Sequence, residues 1–262
     1  GFDCVLASDI MLHAESTYKK NFPEIKFIKK DIRLLSVNEI KKIVGNQKID
    51  VIIGGPPCQG FSNMGNKNSA DPRNNLFEKY VDIVNAVQPK CFVFENVKGM
   101  FTMFEGRFFD KIVNSFLKIG YHIFYSVINS ANYGVPQVRE RVILIGSLNG
   151  ERVPYLKPTH EQGDTFNLKK WLTFKDATKG LKEENMDYIN FPQKRLEYYK
   201  LLKDGQNWKN LTEELQKEAL GKSYFSGGGK TGFLRRLAWN KPSPTVLTNP
   251  TMPATDLCHP VQ

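Results

Sequence analysis

The chain has 262 residues, of which 40% are hydrophobic, so it is long enough to bury one large core or two modest ones. Its formal charge of +10 indicates a polyanionic partner such as nucleic acid, although a solvated basic surface accounts for the charge equally well. The cysteine usage is that of a cytosolic protein, because four cysteines without a C-x-x-C pair and four scattered histidines argue against disulfides and structural metal.

Short β-branched runs alternate with amphipathic stretches through the first half of the chain. The predicted strands are Phe2–Ala7, Ile49–Ile53, Cys91–Phe94, Tyr121–Val127 and Arg141–Ile145. The predicted helices are Met11–Asn21, the stretch from the capping box at Ser36 to Gly45, the apolar residues spaced from Leu76 to Val87, and Gly106–Lys118. This alternation predicts a doubly wound α/β sheet, and no apolar run reaches the length of a membrane span.

The composition changes after about Gly150, where Lys, Asn, Gly and Pro become frequent and the periodicity weakens. We therefore expect one domain over residues 1–150 and a second, smaller and irregular domain over residues 151–262. A helix is predicted at Leu211–Leu220, with Thr212 near its start, and a flexible glycine loop at Gly227–Gly232.

Cys58 lies in the segment Gly54–Ser62, of sequence Gly-Gly-Pro-Pro-Cys-Gln-Gly-Phe-Ser, directly after a predicted strand. Ligands of open α/β sheets sit at the carboxyl ends of strands. The prolines stiffen the turn and the glycines allow close approach of a ligand, which favours a positioned cysteine over a buried structural one. The polar stretch Asn63–Asn75 that follows fits a mobile lid, with a tolerated surface loop as the alternative.

Two further polar motifs flank predicted strands. Glu95-Asn96-Val97 follows the strand Cys91–Phe94, so Glu95 is expected to face the crevice of Cys58, where burial would keep it protonated enough to donate a hydrogen bond. A surface glutamate that caps a turn is equally compatible with the sequence. Strand alternation predicts that Gln137, Arg139 and Arg141 share one face, able to grip a base edge or phosphates, or simply solvated.

These three motifs, in this order and spacing, resemble the C5-cytosine DNA methyltransferases of bacterial restriction–modification systems, and the resemblance covers nearly the whole chain. It implies a Rossmann-like methyltransferase sheet in residues 1–150 and a target-recognition region in residues 151–262. It also implies that Cys58 is the nucleophile, that Glu95 activates the cytosine ring, and that Arg141 contacts the cytosine. Arg139 matches the first arginine of the same motif, so the resemblance places it with Cys58, Glu95 and Arg141 among the catalytic residues.

The resemblance implies S-adenosylmethionine as cofactor and double-stranded DNA as partner, without a metal. The cofactor residues that it implies are Asp9, Ile10, Asp31, Ile32, Pro57 and Leu76. Asp9 matches the acidic residue that holds the ribose, which suits a carboxylate because it accepts two hydrogen bonds from vicinal hydroxyls. The residues expected to contact DNA are Gln59, Ser62, Gln137, Arg235 and Arg236.

In the implied mechanism the Cys58 thiolate adds to cytosine C6, which makes C5 nucleophilic towards the methyl group of S-adenosylmethionine. The base must first be flipped out of the duplex, and the 63–75 lid would close behind it. The basic surface would add affinity for DNA of any sequence, and we expect a cytoplasmic protein associated with the nucleoid.

The chain departs from the family pattern at both ends. The Phe-x-Gly-x-Gly loop of the family is expected before Gly1 and its last two motifs after Gln262, so we expect an incomplete chain or one subunit of a split enzyme with a second polypeptide. Two alternatives remain: an RNA cytosine methyltransferase, and a non-catalytic DNA-binding subunit. Gly60-Phe61-Ser62 and the long region after Gly150 favour DNA as the substrate.

Overall fold

The computed structural model describes residues 1–57, 76–181, 189–227, 232–247, 249, 251–252 and 255–261. The predicted nucleophile Cys58, the predicted DNA contacts Gln59 and Ser62, and the predicted lid at 63–75 lie outside the described residues. The middle of the predicted glycine loop, residues 228–231, also lies outside them.

Helices and strands alternate along the chain, which confirms the predicted α/β class. The strands are β1 (Leu6–Asp9), β2 (Lys26–Lys29), β3 (Val51–Gly54), β4 (Cys91–Val97), β5 (His122–Asn129), β6 (Gln137–Val138), β7 (Glu140–Ser147), β8 (His160–Glu161), β9 (Lys169–Lys170), β10 (Arg235–Arg236), β11 (Ser243–Pro244) and β12 (Leu257–Cys258). The helices are α1 (Leu12–Asn21), α2 (Val37–Val44), α3 (Leu76–Val87), α4 (Arg107–Lys118), α5 (Phe174–Thr178), α6 (Gln193–Lys200), α7 (Glu213–Leu220) and α8 (Lys222–Phe225).

The chain forms two compact units, and each is built from two separate segments. The first unit holds residues 1–128 and 140–155, and the second holds residues 129–139 and 156–262. We predicted a single boundary at residue 150. The first unit instead continues to Tyr155, and the short segment Asn129–Arg139 joins the second unit. A segment of this length is too short to change local composition, so the sequence carried no sign of the exchange.

A four-stranded sheet in the order β3-β4-β7-β5 carries the core of the first unit. β3 and β4 are parallel, whereas β4 and β7 are antiparallel, with Glu95 opposite Ile143 and Val97 opposite Arg141. β1 and β2 pair with each other in a separate parallel sheet, and the strand β2 was not predicted from the sequence. The carboxyl ends of β3 and β4 therefore meet at one edge, where the predicted motifs begin.

The core of the first unit is rich in aromatic side chains from β4, α3 and α4. Burial alternates along β4, so that Phe92, Phe94 and Asn96 are buried and their neighbours are partly exposed. The rings of Phe92 and Phe116 stack with centroids 4.1 Å apart. The hydroxyl of Tyr80 lies 3.1 Å from the carbonyl oxygen of Ile52 and 3.0 Å from that of Val93, so it links β3 to β4.

The helix α2 begins as the sequence predicted. The hydroxyl of Ser36 accepts a hydrogen bond from the amide of Glu39, and the Glu39 carboxylate accepts one from the amide of Ser36, which is the predicted capping box. Gly45 ends the helix with a φ of 62°, a conformation that glycine adopts without strain. The capping box joins residues only three positions apart, and the stop depends on Gly45 alone. Because both signals are local, the sequence alone located both ends of the helix.

The second unit is built from short elements around a core of its own. In the described part of this unit the strands pair as the two-stranded sheets β8–β9, β10–β12 and β6–β11. Asp256 is fully buried, forms an ion pair with Arg195, and accepts a hydrogen bond of 2.7 Å from the amide of Leu234. A buried carboxylate needs such partners because its desolvation is costly. Among the described residues, none of the helices combines the length and apolar composition that a membrane crossing requires.

Gly146 generates the first prediction. It lies opposite Phe92 across β4 and β7, and a Cβ atom at position 146 would lie 2.0 Å from Cε1 of that ring. Because Phe92 is fully buried and cannot swing into solvent, Gly146→Ala should lower the free energy of unfolding by about 2–3 kcal/mol. Urea denaturation measures the change. Gly163→Ala is the control, since its new Cβ would have its nearest neighbour at 3.8 Å. Equal stability of the two variants would contradict this packing.

Candidate active site

The turn after β3 depends on two consecutive glycines. A Cβ atom on Gly54 would lie 2.4 Å from Cε2 of Tyr80, and a Cβ atom on Gly55 would lie 3.0 Å from Oε2 of Glu95. The glycines therefore let the end of β3 lie against the Tyr80 ring and against the Glu95 carboxylate. Pro56 is buried and Pro57 is exposed. The backbone at this point leads directly to the predicted nucleophile.

Asn96 joins this turn to the end of β4. Its side chain is on the buried face of the strand, and its Nδ2 donates a hydrogen bond of 3.0 Å to the carbonyl oxygen of Pro56. Its Oδ1 accepts a hydrogen bond of 2.8 Å from the amide of Val97. Sequence reasoning gave Asn96 no role of its own. The sequence did carry a signal for it. Strand alternation places Asn96 on the same face as the apolar rings of Phe92 and Phe94, and a polar amide on a buried face needs a hydrogen-bond partner.

Glu95 and Arg141 form an ion pair across β4 and β7, with Nε of Arg141 3.0 Å from Oε1 of Glu95. Nη1 of Arg141 also donates a hydrogen bond of 2.7 Å to the carbonyl oxygen of Glu140. We expected Glu95 to be buried, but its side chain is 37% exposed and that of Arg141 is 19% exposed. The structure thus brings the two predicted groups together and leaves the carboxylate accessible.

A second ion pair lies beside the first. Nζ of Lys98 donates to both carboxylate oxygens of Glu140, at 2.9 and 3.0 Å. Both side chains are largely exposed, so the pair adds little to stability. The Glu95–Arg141 pair places a carboxylate and a guanidinium together near the end of β4 and the start of β7, with Glu95 beside the Gly-Gly-Pro-Pro turn. Such a pair can donate to and accept from the polar atoms of a planar ring.

Gln137 and Arg139 do not continue this arrangement. Gln137 belongs to β6, which pairs with β11 in the second unit, and the strand is interrupted at Arg139 before β7 begins at Glu140. The prediction that Gln137, Arg139 and Arg141 share one face of one strand is therefore wrong. The strand changes its pairing partner between Val138 and Glu140, and alternation does not persist across such a break.

The predicted cofactor residues of the N-terminal segment lie at one end of the β1–β2 sheet. Asp9 ends β1, and its carbonyl oxygen accepts a hydrogen bond from the amide of Lys30, immediately before Asp31. The Asp31 carboxylate is paired with Arg33, whose hydrogen bonds hold the pKa of that carboxyl below its ordinary value. Ile10 is 57% exposed, and Ile32 starts a short 3-10 turn.

This arrangement has the chemistry that a nucleoside requires. An exposed carboxylate at a strand end, Asp9, suits a ribose diol, and an exposed apolar side chain next to it, Ile10, suits the face of a purine. Of the other predicted cofactor positions, Pro57 is exposed at the turn after β3 and Leu76 is buried at the start of α3. The donor set therefore fits the predicted cofactor class.

Arg236 is buried in the second unit. It is 8% exposed, and its guanidinium donates to the carbonyl oxygens of His259, at 3.1 Å, and Tyr199, at 2.7 Å. Arg235 donates to the carbonyl oxygen of Thr255 and is half-buried. The side chain of Arg236 holds together three segments of the second unit, and the expectation that this residue contacts DNA stays a prediction. The positive charge of Arg236 and the glycines before it led to the prediction of a DNA contact. The sequence does not reveal that backbone carbonyl oxygens of distant residues accept from its guanidinium.

Comparison with known proteins places this geometry in context. The family model for C-5 cytosine-specific DNA methylases matches residues 1–250. The type II methyltransferase M.Sau96I of Staphylococcus aureus is 35% identical over 257 residues, which are 97% of this chain and 58% of that protein. The type II methyltransferase M.Eco47II of Escherichia coli is 34% identical over 269 residues, which are 99% of this chain and 62% of that protein. The chain thus spans about three fifths of the length of these relatives.

A solved structure shares the fold. It is that of a prophage-encoded candidate DNA modification methyltransferase from Escherichia coli, with a TM-score of 0.61 and 26% identity. The similarity covers 94% of this chain and 76% of that one. This likeness confirms the predicted Rossmann-like methyltransferase fold.

Asn96 generates the prediction of this section. Asn96→Ala removes the amide that donates to the Pro56 carbonyl and leaves a small gap on the buried face of β4. The free energy of unfolding should fall by about 1–3 kcal/mol, as expected for the loss of a buried hydrogen bond. Asn114→Ala on the exposed face of α4 is the control and should change stability by less than about 0.5 kcal/mol. If both variants unfold at the same urea concentration, the Asn96 bond contributes nothing.

Proposed function

Because the chain belongs to the C-5 cytosine-specific DNA methylase family, we propose that it carries the residues that transfer a methyl group to C5 of cytosine in duplex DNA. The observation that carries the proposal is the Glu95–Arg141 ion pair, which lies beside the Gly-Gly-Pro-Pro turn that leads to Cys58. Asn96 supports it by joining the two strand ends on which these groups stand. The activity of the whole protein, its DNA site and its partners are part of this proposal.

Cys58 is the proposed nucleophile. Cytosine C5 is a poor nucleophile within an aromatic ring, and addition of a thiolate at C6 converts it into an enamine-like carbon. The new C6–S bond pushes electron density towards N3 of the ring. After C5 has accepted the methyl group, a base, for which bound water is the candidate, removes the C5 proton. The electron pair re-forms the C5–C6 double bond, the C6–S bond breaks, the thiolate leaves, and N3 returns its proton to Glu95. S-adenosylmethionine, when bound, supplies the electrophilic methyl group.

Glu95 and Arg141 are the proposed partners of the ring edge. Glu95 delivers a proton to N3 as charge builds there, and its second oxygen accepts from the exocyclic amino group. Arg141 donates to O2. Cytosine O2 is bonded to C2, which is the ring neighbour of N3, so the two acceptors lie close together. Glu95 and Arg141, whose polar atoms are 3.0 Å apart, can therefore reach both. The exposed fraction of the Glu95 carboxylate leaves room for a base to approach.

The cofactor is proposed to lie at the carboxyl ends of β1, β2 and β3. Asp9 would hold the ribose hydroxyls, and Ile10 would pack on the adenine. Asp31 and Ile32 would line the other side of the adenine, with Pro57 and Leu76 towards the sulfonium. The exposure of Asp9 and Ile10 at one strand end supports this assignment.

The second unit is the proposed target-recognition region. A cytosine must leave the base stack to reach Cys58, so the enzyme acts on a flipped base. The excess of 10 positive charges over the whole chain supports binding to a polyanion through counterion release. Gln59, Ser62, Gln137 and Arg235 remain proposed DNA contacts, and we add Arg139 to them, whereas the buried guanidinium of Arg236 donates to carbonyl oxygens within the second unit.

Cys58 is tested by covalent trapping. Duplex DNA that carries 5-fluorocytosine at the target should form a stable adduct with the protein in the presence of S-adenosylmethionine. After methyl transfer C5 carries fluorine in place of the proton that a base would remove, so the thiolate cannot be eliminated. The adduct is measured as a shifted band in a denaturing gel, and Cys58→Ala should abolish it. Cys91→Ala, which changes a half-buried cysteine in β4, should still trap. Trapping by Cys58→Ala at the wild-type level would refute the assignment.

Glu95 is tested by an isosteric change. Glu95→Gln keeps the shape of the side chain but cannot deliver a proton, so methyl transfer should fall by about 100-fold or more. Transfer of tritiated methyl groups to duplex DNA measures it. Glu78→Gln, a change to a partly exposed glutamate of α3 that pairs with Lys111, should leave turnover within about twofold of wild type. Unaltered turnover in Glu95→Gln would remove the proposed role.

A further inference from the structure

The segment Asn129–Arg139, here called the 129–139 loop, is closed by hydrogen bonds between its own ends. Oδ1 of Asn129 accepts from the amide of Arg139 at 3.2 Å, and the amide of Ser130 donates to the carbonyl oxygen of Arg139 at 3.0 Å. The hydroxyl of Ser130 donates to the carbonyl oxygen of Gln137 at 2.7 Å. The backbone of Gln137 and Arg139 is therefore fixed to the start of the same loop.

The loop is also attached to the rest of the second unit at its middle. Nε1 of Trp171 donates a hydrogen bond of 2.9 Å to Oδ1 of Asn132, and the amide of Thr159 donates one of 2.9 Å to the carbonyl oxygen of Asn132. Asn132 thus receives one bond on its side chain and one on its backbone. The imidazole of His160 lies over Gly134, where a Cβ atom would come within 2.8 Å of the ring.

The side chains that the loop carries are not committed in the same way. Gln137 and Arg139 are partly exposed, and neither side chain makes a hydrogen bond or ion pair with another described residue. A backbone held at both ends and in the middle, with uncommitted polar side chains, is what the presentation of those side chains to a ligand requires. The pairing of β6 with β11 extends the same support to Gln137.

We propose that Trp171 and Asn132 are positioning residues, which hold the 129–139 loop so that Gln137 and Arg139 are presented to the DNA as part of the recognition unit. This rests on the proposed function. Trp171 does not touch the DNA in this arrangement. It acts through Asn132, and its indole N–H is the donor that matters. The second unit thereby fixes the backbone of Gln137 and Arg139, which the sequence had assigned to the same strand as Arg141.

The test removes the donor and the acceptor of this bond separately and together. Trp171→Phe lacks the N–H, and Asn132→Leu lacks the acceptor oxygen at similar size. Each change should lower kcat for duplex methylation by about 5- to 10-fold, as expected for one hydrogen bond, with KM for DNA within about twofold. The double variant should fall no further than the single variants, because both remove the same interaction.

Trp239→Phe is the matched control, because the described ring contacts of Trp239 are with Phe174 and His259 in the same unit and not with the loop. It should keep kcat within about twofold of wild type. A loss of kcat in Trp171→Phe that merely follows a lower melting temperature, or additive losses in the double variant, would overturn the positioning role.

Hydrogen exchange of the 129–139 loop separates this inference from the proposed function. Exchange at Ser130 and Arg139 should accelerate at least about 5-fold in Trp171→Phe and stay unchanged in Trp239→Phe. A wild-type protein that fails to methylate duplex DNA refutes the proposed function, whereas unchanged exchange in Trp171→Phe refutes the attachment of the loop whatever the activity.

Discussion

The hydrogen bond from Asn96 to the carbonyl oxygen of Pro56 is the contact on which the geometry of the candidate active site depends. It joins the ends of two parallel strands that follow different helices, and it does so on the buried face of β4, where a polar group must find a partner. The aromatic core around Phe92 and Phe94 holds β4 in place. Asn96 is the next buried position of the same strand, and its hydrogen bond holds the strand end as well. Beyond the last ladder pair, Gly54 with Phe94, it is the Asn96 bond that ties the Gly-Gly-Pro-Pro turn to the end of β4.

The charged groups at this edge serve chemistry better than stability. Ion pairs of this exposure contribute about 1 kcal/mol or less, because water screens them and two side chains must be held still. The Glu95–Arg141 and Lys98–Glu140 pairs therefore do not account for the fold. Their value lies in placement, since β4 and β7 are antiparallel and bring acid and base from distant parts of the chain to adjacent positions.

Local signals carried much of the fold in the sequence. The capping box at Ser36, the stop at Gly45 and the apolar run before Gly54 each act within a few residues, and the structure has each of them where the sequence predicted. The sequence placed Glu95 and Arg141 at ends of predicted strands, but it did not predict that the two side chains form an ion pair. The separation of β1–β2 from the larger sheet, and the break at Arg139, depend on which strand pairs with which. Strand pairing is decided by residues that are distant in the chain, so the hydrophobic periodicity of a single strand does not reveal its partner. The burial of Arg236 was hidden for the same reason, because its acceptors are backbone carbonyls of distant segments.

The discontinuity of the two units has a consequence for engineering by gene fusion. The chain passes between them after residues 128, 139 and 155, so no single splice point separates one from the other. A hybrid that takes only residues 156–262 from a relative would combine that relative's segment with the 129–139 loop of this chain. The mismatch would fall on the contacts of Asn132 with Thr159 and Trp171, whose members would then come from different parents. Specificity exchange between such proteins should therefore be designed with two inserts rather than one, and the shorter insert is the one that an alignment by domain would omit.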